Sequence, residues 1–180
     1  IIQLFHAAVD RSVYPQLPQL ILIAAYSGLR EEEICQLRIG TDVDRKKMIV
    51  QAGKTESARR LGPVHKELEN LIDHLCSTSK DAWLILRLKS GNKYGKQSYN
   101  IGQRFGDLKT DLRFPKREKN FHSFRHSCFI KLREANVEDY SIQQIIGHKT
   151  GRLSGVPVSN VTDQYTFSPQ DFECKNYDTK

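Results

Sequence analysis

The sequence predicts a mainly α-helical α+β domain with one small antiparallel β-hairpin. Three observations predict it. Apolar residues recur at helical spacing in stretches spread along the whole chain. One short β-branched segment, Lys47 to Ala52, is followed by polar turn residues and a second short apolar run, Leu61 to Val64, the pattern of a hairpin. Glycines at 28 and 147 stand where two helical patterns stop, as helix C-caps do. A chain of 180 residues makes one domain and buries roughly 70% of the surface its unfolded form would expose, so it needs no disulfide or metal staple.

The elements follow in order. Residues 1–13 read as a helix with Leu4, Phe5, Ala8 and Val9 inward, punctuated by Tyr14-Pro15 and Pro18. Leu17 to Tyr26 is apolar nearly all round, the mark of a buried central helix, and Ser27-Gly28 stops it. A new helix runs from Glu31 to Leu37, its acidic first turn suited to the positive helix end. The hairpin carries Lys54 and the pair Arg59-Arg60 around its tip. Lys66 to Cys76 is amphipathic, with Leu68, Leu71, Ile72 and Leu75 on one side. Trp83 to Leu86 is a short buried strand or turn, and residues 89–97 form a polar loop. Ser98 is placed to cap a helix from Tyr99 to Leu112 with Ile101, Phe105 and Leu108 inward. A basic, Pro115-containing segment leads into the helix at Phe121 to Leu132. Asp139 or Ser141 can cap a short helix ending at Gly147, and residues 149–159 read as a loop. A short helical segment carries Tyr165, and residues 168–180 are expected to form a flexible tail.

Lysine and arginine exceed aspartate and glutamate by 28 to 21, which favours a polyanionic partner. The cations cluster at Arg45-Lys46-Lys47, at Arg59-Arg60 and around Arg113, Lys116 and Arg117, a distribution that points to nucleic acid. Cys35, Cys76, Cys128 and Cys174 form no CxxC pair and read as reduced, mostly buried thiols of a cytoplasmic-type protein. No apolar run approaches the length of a membrane span. The chain starts without Met inside an apolar segment, as a piece of a longer protein would.

Within this frame several polar residues stand at punctuated positions. On the Phe121–Leu132 helix, His122 and Arg125 are neighbours at i and i+3, while Phe124, Cys128, Phe129 and Leu132 face the core. An imidazole beside a guanidinium suits an anion whose reaction also moves a proton, above all a phosphate. Arg30, two residues past Gly28, reads either as a structural partner of Glu33 or as a ligand for the same anion. Lys54 lies either on a solvated loop or on a finger laid along a phosphate backbone. His148 follows Gly147 and either caps a helix or joins the site. His126 stands four residues after His122, but no third ligand accompanies them, so a metal is not expected and His126 reads as a local supporting group.

The string Tyr26-Ser-Gly-Leu-Arg-Glu-Glu-Glu-Ile-Cys-Gln-Leu37 resembles the first arginine box of the tyrosine recombinase, or phage integrase, family. His122-Ser-Phe-Arg125-His126 resembles its His-x-x-Arg box, Ile146-Gly-His148 its Leu-Gly-His box, and Thr162-Asp-Gln-Tyr165 the segment bearing its tyrosine. The order matches, and so does a hairpin lysine between the first two boxes. The chain departs from the pattern at Ile146, where leucine is usual, and in a longer loop before Tyr165. The resemblance implies the architecture of that family's catalytic domain over residues 1–180, without the N-terminal DNA-clamping domain. It implies site-specific cleavage and rejoining of double-stranded DNA through a 3′-phosphotyrosine.

The implied roles agree with the chemistry of the residues. Arg30 and Arg125 would hold the nonbridging phosphate oxygens, with His148 adding a hydrogen bond. Tyr165 would be the nucleophile, preserving the bond energy for resealing. Its phenol, pKa ~10, needs a base, and His122, ordinarily ~6.5, would serve. Lys54 would protonate the leaving oxygen. Arg59, Arg60, Lys116 and Arg117 would contact the DNA backbone. No cofactor is called for, since the arginines supply the charge. The implied assembly is a tetramer on DNA for the full-length protein and a monomer for this fragment, nucleoid-associated in the cytoplasm. Two other readings stand beside it: a type IB topoisomerase-like relaxing enzyme using the same residues, and a non-catalytic DNA-binding regulator. A metal-dependent nuclease is disfavoured because the clustered carboxylates of two-metal chemistry are missing.

Overall fold

The computed structural model describes residues 1–10, 15–44, 46–51, 59–86, 93–115 and 119–147. Their elements run α1 (Ile2–Asp10), α2 (Gln16–Ser27), α3 (Glu31–Cys35), β1 (Lys47–Val50), β2 (Arg60–Pro63), α4 (Lys66–Thr78), α5 (Tyr99–Asp111), α6 (His122–Glu134) and α7 (Asp139–Ile146). The α+β class expected from the sequence is what the chain adopts.

Helix α2 is the centre. Leu20, Ile21, Ile23, Ala24 and Ala25 are fully buried, and α1, α3, α4, α5 and α6 all pack against it. A helix apolar on every side can only be stable when surrounded, which is why the others wrap it. Pro18 falls in its first turn, where a missing N–H costs nothing. A second cluster, formed by Cys128, Leu132, Val137, Ile142, Ile145 and Ile146, joins α6 to α7. Phe105, Phe121 and Phe124 meet edge-on or tilted at centroid separations of 5.1 to 5.8 Å and fasten α5 to α6.

The hairpin strands are antiparallel, with Val50 opposite Arg60 and Met48 opposite Gly62. Met48 and Val50 face the core, and β2 lies against α7. That contact brings the hairpin to the end of the last described helix. Trp83 is not in a strand pair of any length; it makes one isolated bridge to Arg38, whose guanidinium lies 4.9 Å over its ring.

Neither of two expected side-chain caps forms. Ser98 sits before α5 but its side chain makes no bond to the helix. Glu32 of α3 does the capping instead, accepting from the backbone N–H groups of Gln97 and Ser98 at 3.1 and 2.9 Å. Glu138 precedes α7, and neither it nor Asp139 caps with a side chain, Asp139 lying in the first turn. Glu31, next to Glu32, has a buried oxygen with no hydrogen-bond partner among the described residues. It presses on α5 so closely that a Cβ at Gly102 would lie 3.1 Å from it. Burial, with repulsion from Glu32, pushes its carboxyl up from 4.5 to about 7, opposed by Lys96. A carboxyl raised in the folded state stabilises below its unfolded pKa, and that contribution is lost as pH rises towards the folded value. Replacing Glu31 by Gln is therefore expected to flatten the fall in stability between pH 4.5 and about 7 and to raise Tm above it. Thermal unfolding followed across that range checks this.

Candidate active site

The site is built at the corner between α2 and α3. Gly28 ends α2 at φ 64°, its N–H donating to the Ala24 carbonyl at 3.0 Å. A side chain there would be strained in the left-handed region and would bring a Cβ to 3.2 Å from the Cys128 Sγ. Glycine thus lets the corner close onto α6. The close approach lets the Gly28 carbonyl accept a 2.8 Å hydrogen bond from Arg125 Nη1 on that helix.

Arg125 does not lie on an open face beside His122, as the spacing alone suggests. It is 2% exposed, on the same side of α6 as Phe124 and Cys128. Its Nε and Nη2 are buried and have no hydrogen-bond partner among the described residues. Burial, together with the nearby charges of Arg30 and Arg60, brings its guanidinium down to about 10, against a smaller opposing pull from Glu33. It stays charged at neutral pH. A permanently charged fork held by one amine, with its other donors unspent, is a site for an anion.

Glu33 organises the cations. Its carboxylate accepts from the Arg30 N–H at 2.8 Å and from Arg30 Nη1 at 2.6 Å. It also receives both amines of Arg60, Nη2 at 2.6 Å and Nη1 at 3.1 Å. Burial alone would raise its pKa; the hydrogen bonds and charge of Arg60, then the bonds from Arg30, overcome this and hold the carboxyl below its usual range. Arg30 therefore does pair with Glu33, yet its side chain remains 46% exposed. One bond fixes its direction while the rest of the fork stays accessible.

His122 opens α6 and is exposed. Partial burial, then the charges of Arg125, Arg30 and His126, lower its pKa from 6.5, so it is neutral and able to accept a proton at neutral pH. His122 thus feels the charge of both arginines. His126 is exposed and stacks on Phe129 at a centroid separation of 6.4 Å. Among the described residues no three of His, Cys, Asp and Glu are gathered as a metal site.

The structure thus brings Arg30 and Arg125 to the Gly28 corner, with His122 near enough to feel the charge of both. Lys54, His148 and Tyr165 lie outside the described residues, as do Lys116, Arg117, Cys174 and the tail at 168–180. Arg59 is exposed just before β2, but Arg60, grouped with it as a DNA contact, has its side chain only 7% exposed in the pair with Glu33. That burial removes Arg60 from the surface on which a phosphate backbone could lie. The sequence marks Glu33 only as a structural partner of Arg30. The signal for more was the i,i+3 spacing, which lets a side chain reach back to the N–H that precedes the helix. Cys35 and Cys128 are buried thiols outside any disulfide, and Cys76 is a partly buried one. No helix among the described residues is long and apolar enough to cross a membrane.

The chain is similar to known proteins both in sequence and in fold. The profile described as the Phage integrase family matches residues 1–154. Two presumptive integrase/recombinases of Sinorhizobium fredii (strain NBRC 101917 / NGR234) are similar in sequence. The protein y4eF is 32% identical over 134 residues, which is 72% of this chain and 51% of that protein. The protein y4qK is 30% identical over 133 residues, 72% of this chain and 42% of that protein. The chain therefore spans about half the length of the curated relatives it matches. Among solved structures, the Tn1549 transposon integrase in complex with transposon right end DNA superposes with a TM-score of 0.65 at 20% identity, over 94% of this chain and 60% of that one. A lambda integrase tetramer bound to a Holliday junction gives a TM-score of 0.60 at 17% identity, over 89% of this chain and 45% of that one. At such identities the structures show a shared fold, and the profile, covering most of the chain, shows its kinship: the chain belongs to the phage integrase family.

Proposed function

We propose that this chain is the catalytic domain of a site-specific DNA recombinase. The observation that carries the reading is the buried Arg125, anchored by one amine on the Gly28 carbonyl with its other donors unpaired among the described residues, beside a half-exposed Arg30. Two guanidiniums close enough for each to feel the other's charge bind a phosphodiester and stabilise the charge that builds on its nonbridging oxygens. The Tyr165 oxygen attacks phosphorus while its proton passes to His122. The bond from phosphorus to the 5′-oxygen breaks, and Lys54 gives that oxygen a proton. His148 donates a further hydrogen bond to the phosphate. The products are a 3′-phosphotyrosine and a free 5′-hydroxyl, and the reverse sequence on a new strand completes the exchange. Arg59, Lys116 and Arg117 lie along the DNA backbone. The protein acts as a tetramer on double-stranded DNA in the nucleoid, while this chain by itself is a monomer.

The test is a suicide duplex nicked near the cleavage point, so that the departing strand diffuses away. The expected result is a covalent adduct that peptide mass spectrometry maps to Tyr165. An adduct on another residue overturns the assignment of the nucleophile, and no adduct on any member of a randomised duplex library overturns the reading itself. A pH profile adds a second expectation. Since the His122 pKa lies below 6.5 in the free protein, the acid limb of kcat/KM should fall below that value. Bound phosphate adds negative charge beside the imidazole and should move the limb of kcat upward. Substitution His122→Gln should remove both limbs.

A further inference from the structure

Arg60 makes a set of contacts that the reaction above leaves unused. Its two amines fork onto the Glu33 carboxylate at 2.6 and 3.1 Å, and its Nε donates to the Ile145 carbonyl at 3.2 Å. Ile145 lies in the last turn of α7, where carbonyls have no partner within the helix. Gly147, which ends that helix at φ 73°, is what admits the guanidinium. A Cβ at 147 would stand 2.7 Å from the Arg60 Cδ and Nε and 2.8 Å from its Cζ, too close for any side chain without displacement. One buried arginine therefore ties together three parts of the chain that are distant in sequence. They are the hairpin strand six residues beyond Lys54, the carboxylate that aims Arg30, and the helix end one residue before the segment starting at His148.

We propose that Arg60 is a positioning residue, the staple that holds α7 and the Glu33–Arg30 pair in fixed register. The inference rests on the function proposed above and deepens it. Arginine is required because only a planar fork can meet both carboxylate oxygens and still direct Nε to a carbonyl. A lysine supplies the charge but reaches one partner at a time. The staple also explains why the positive charge of Arg60 can sit near Arg125 without lining the phosphate site. It is neutralised by Glu33 and turned away towards the helix end.

The test separates the staple from simple charge balance. Arg60→Lys is expected to keep Tm near that of the wild type and to leave DNA affinity within about twofold, because the buried charge is retained. Its single-turnover rate of adduct formation at saturating DNA should fall by about 10- to 100-fold, the scale of a misplacement near 1 Å. Amide exchange at Ile145 to Gly147 should quicken in the same variant, a readout that needs no DNA. Gly147→Ala supplies the second arm. It should quicken exchange in α7 strongly in the wild-type background and less in an Arg60→Ala background, where no guanidinium is in its way and only the backbone strain remains. Wild-type rate and wild-type exchange in Arg60→Lys overturn the inference, as does an equal effect of Gly147→Ala in both backgrounds. Absence of an adduct from the wild type overturns the proposed reaction instead, while the exchange measurements still decide for or against the staple.

Discussion

Arg125→Ala is expected to lower the rate of covalent adduct formation by about a thousandfold or more while leaving a folded protein. Removing a single preorganised donor from an oxyanion site costs roughly 10²–10³ in rate, and Arg125 has more than one donor without a partner among the described residues. Its stability cost should be small because two effects oppose. The hydrogen bond to the Gly28 carbonyl is lost, a loss of about 1 kcal/mol. Against this, the buried unpaired donors of the free protein vanish, each of which costs roughly 1–3 kcal/mol. Non-specific DNA binding should persist with a salt slope reduced by about one, since one phosphate contact is gone. Arg125→Lys should fall between, keeping the charge but not the simultaneous hold on Gly28 and phosphate. Quench-flow cleavage, urea unfolding and salt-titrated anisotropy check the three expectations. A variant that fails to fold would assign Arg125 to the core rather than to the reaction.

The helices were legible because their apolar spacing is enforced by burial against α2, and Gly28 and Gly147 because their backbone demands a positive φ. What stayed hidden was which way a charged side chain turns. The i,i+3 spacing that makes His122 a neighbour of Arg125 also makes Arg125 a neighbour of Cys128, and Cys128 is fully buried. Spacing cannot choose between those faces; the carbonyl exposed by the Gly28 corner does. Arg59 and Arg60 looked alike as adjacent cations. Strand alternation separates them, since successive residues point to opposite faces. Arg60 pairs with buried Val50 across the hairpin, whereas its other neighbour, Leu61, is 44% exposed. That alternation was present in the sequence but carried no weight until the register was known.

Glu33 is where the second large effect is expected. Glu33→Ala strands the 7% exposed Arg60 without a counter-charge, and breaking a buried pair by deleting one partner costs about 3–5 kcal/mol. Glu33→Gln should be less severe at neutral pH, because one acceptor oxygen remains, although its amide nitrogen then faces guanidinium donors. The pH dependence follows from the depressed carboxyl of Glu33. A group whose folded pKa lies below its unfolded value of 4.5 stabilises fully above that value and loses the contribution as pH falls through the folded one. The gap between wild type and Glu33→Gln should therefore be widest near pH 7 and close under acid, as urea unfolding at the two extremes can measure. The same variant takes from Arg30, Arg60 and Arg125 the carboxylate that Glu33 supplies among the described residues. An anion seated between Arg30 and Arg125 then relieves more repulsion than it does in the wild type. Added sulfate or a short duplex should raise the Tm of Glu33→Gln by more than it raises that of the wild type. Equal shifts would mean that Glu33 balances Arg60 alone and that the phosphate site is electrostatically separate from it.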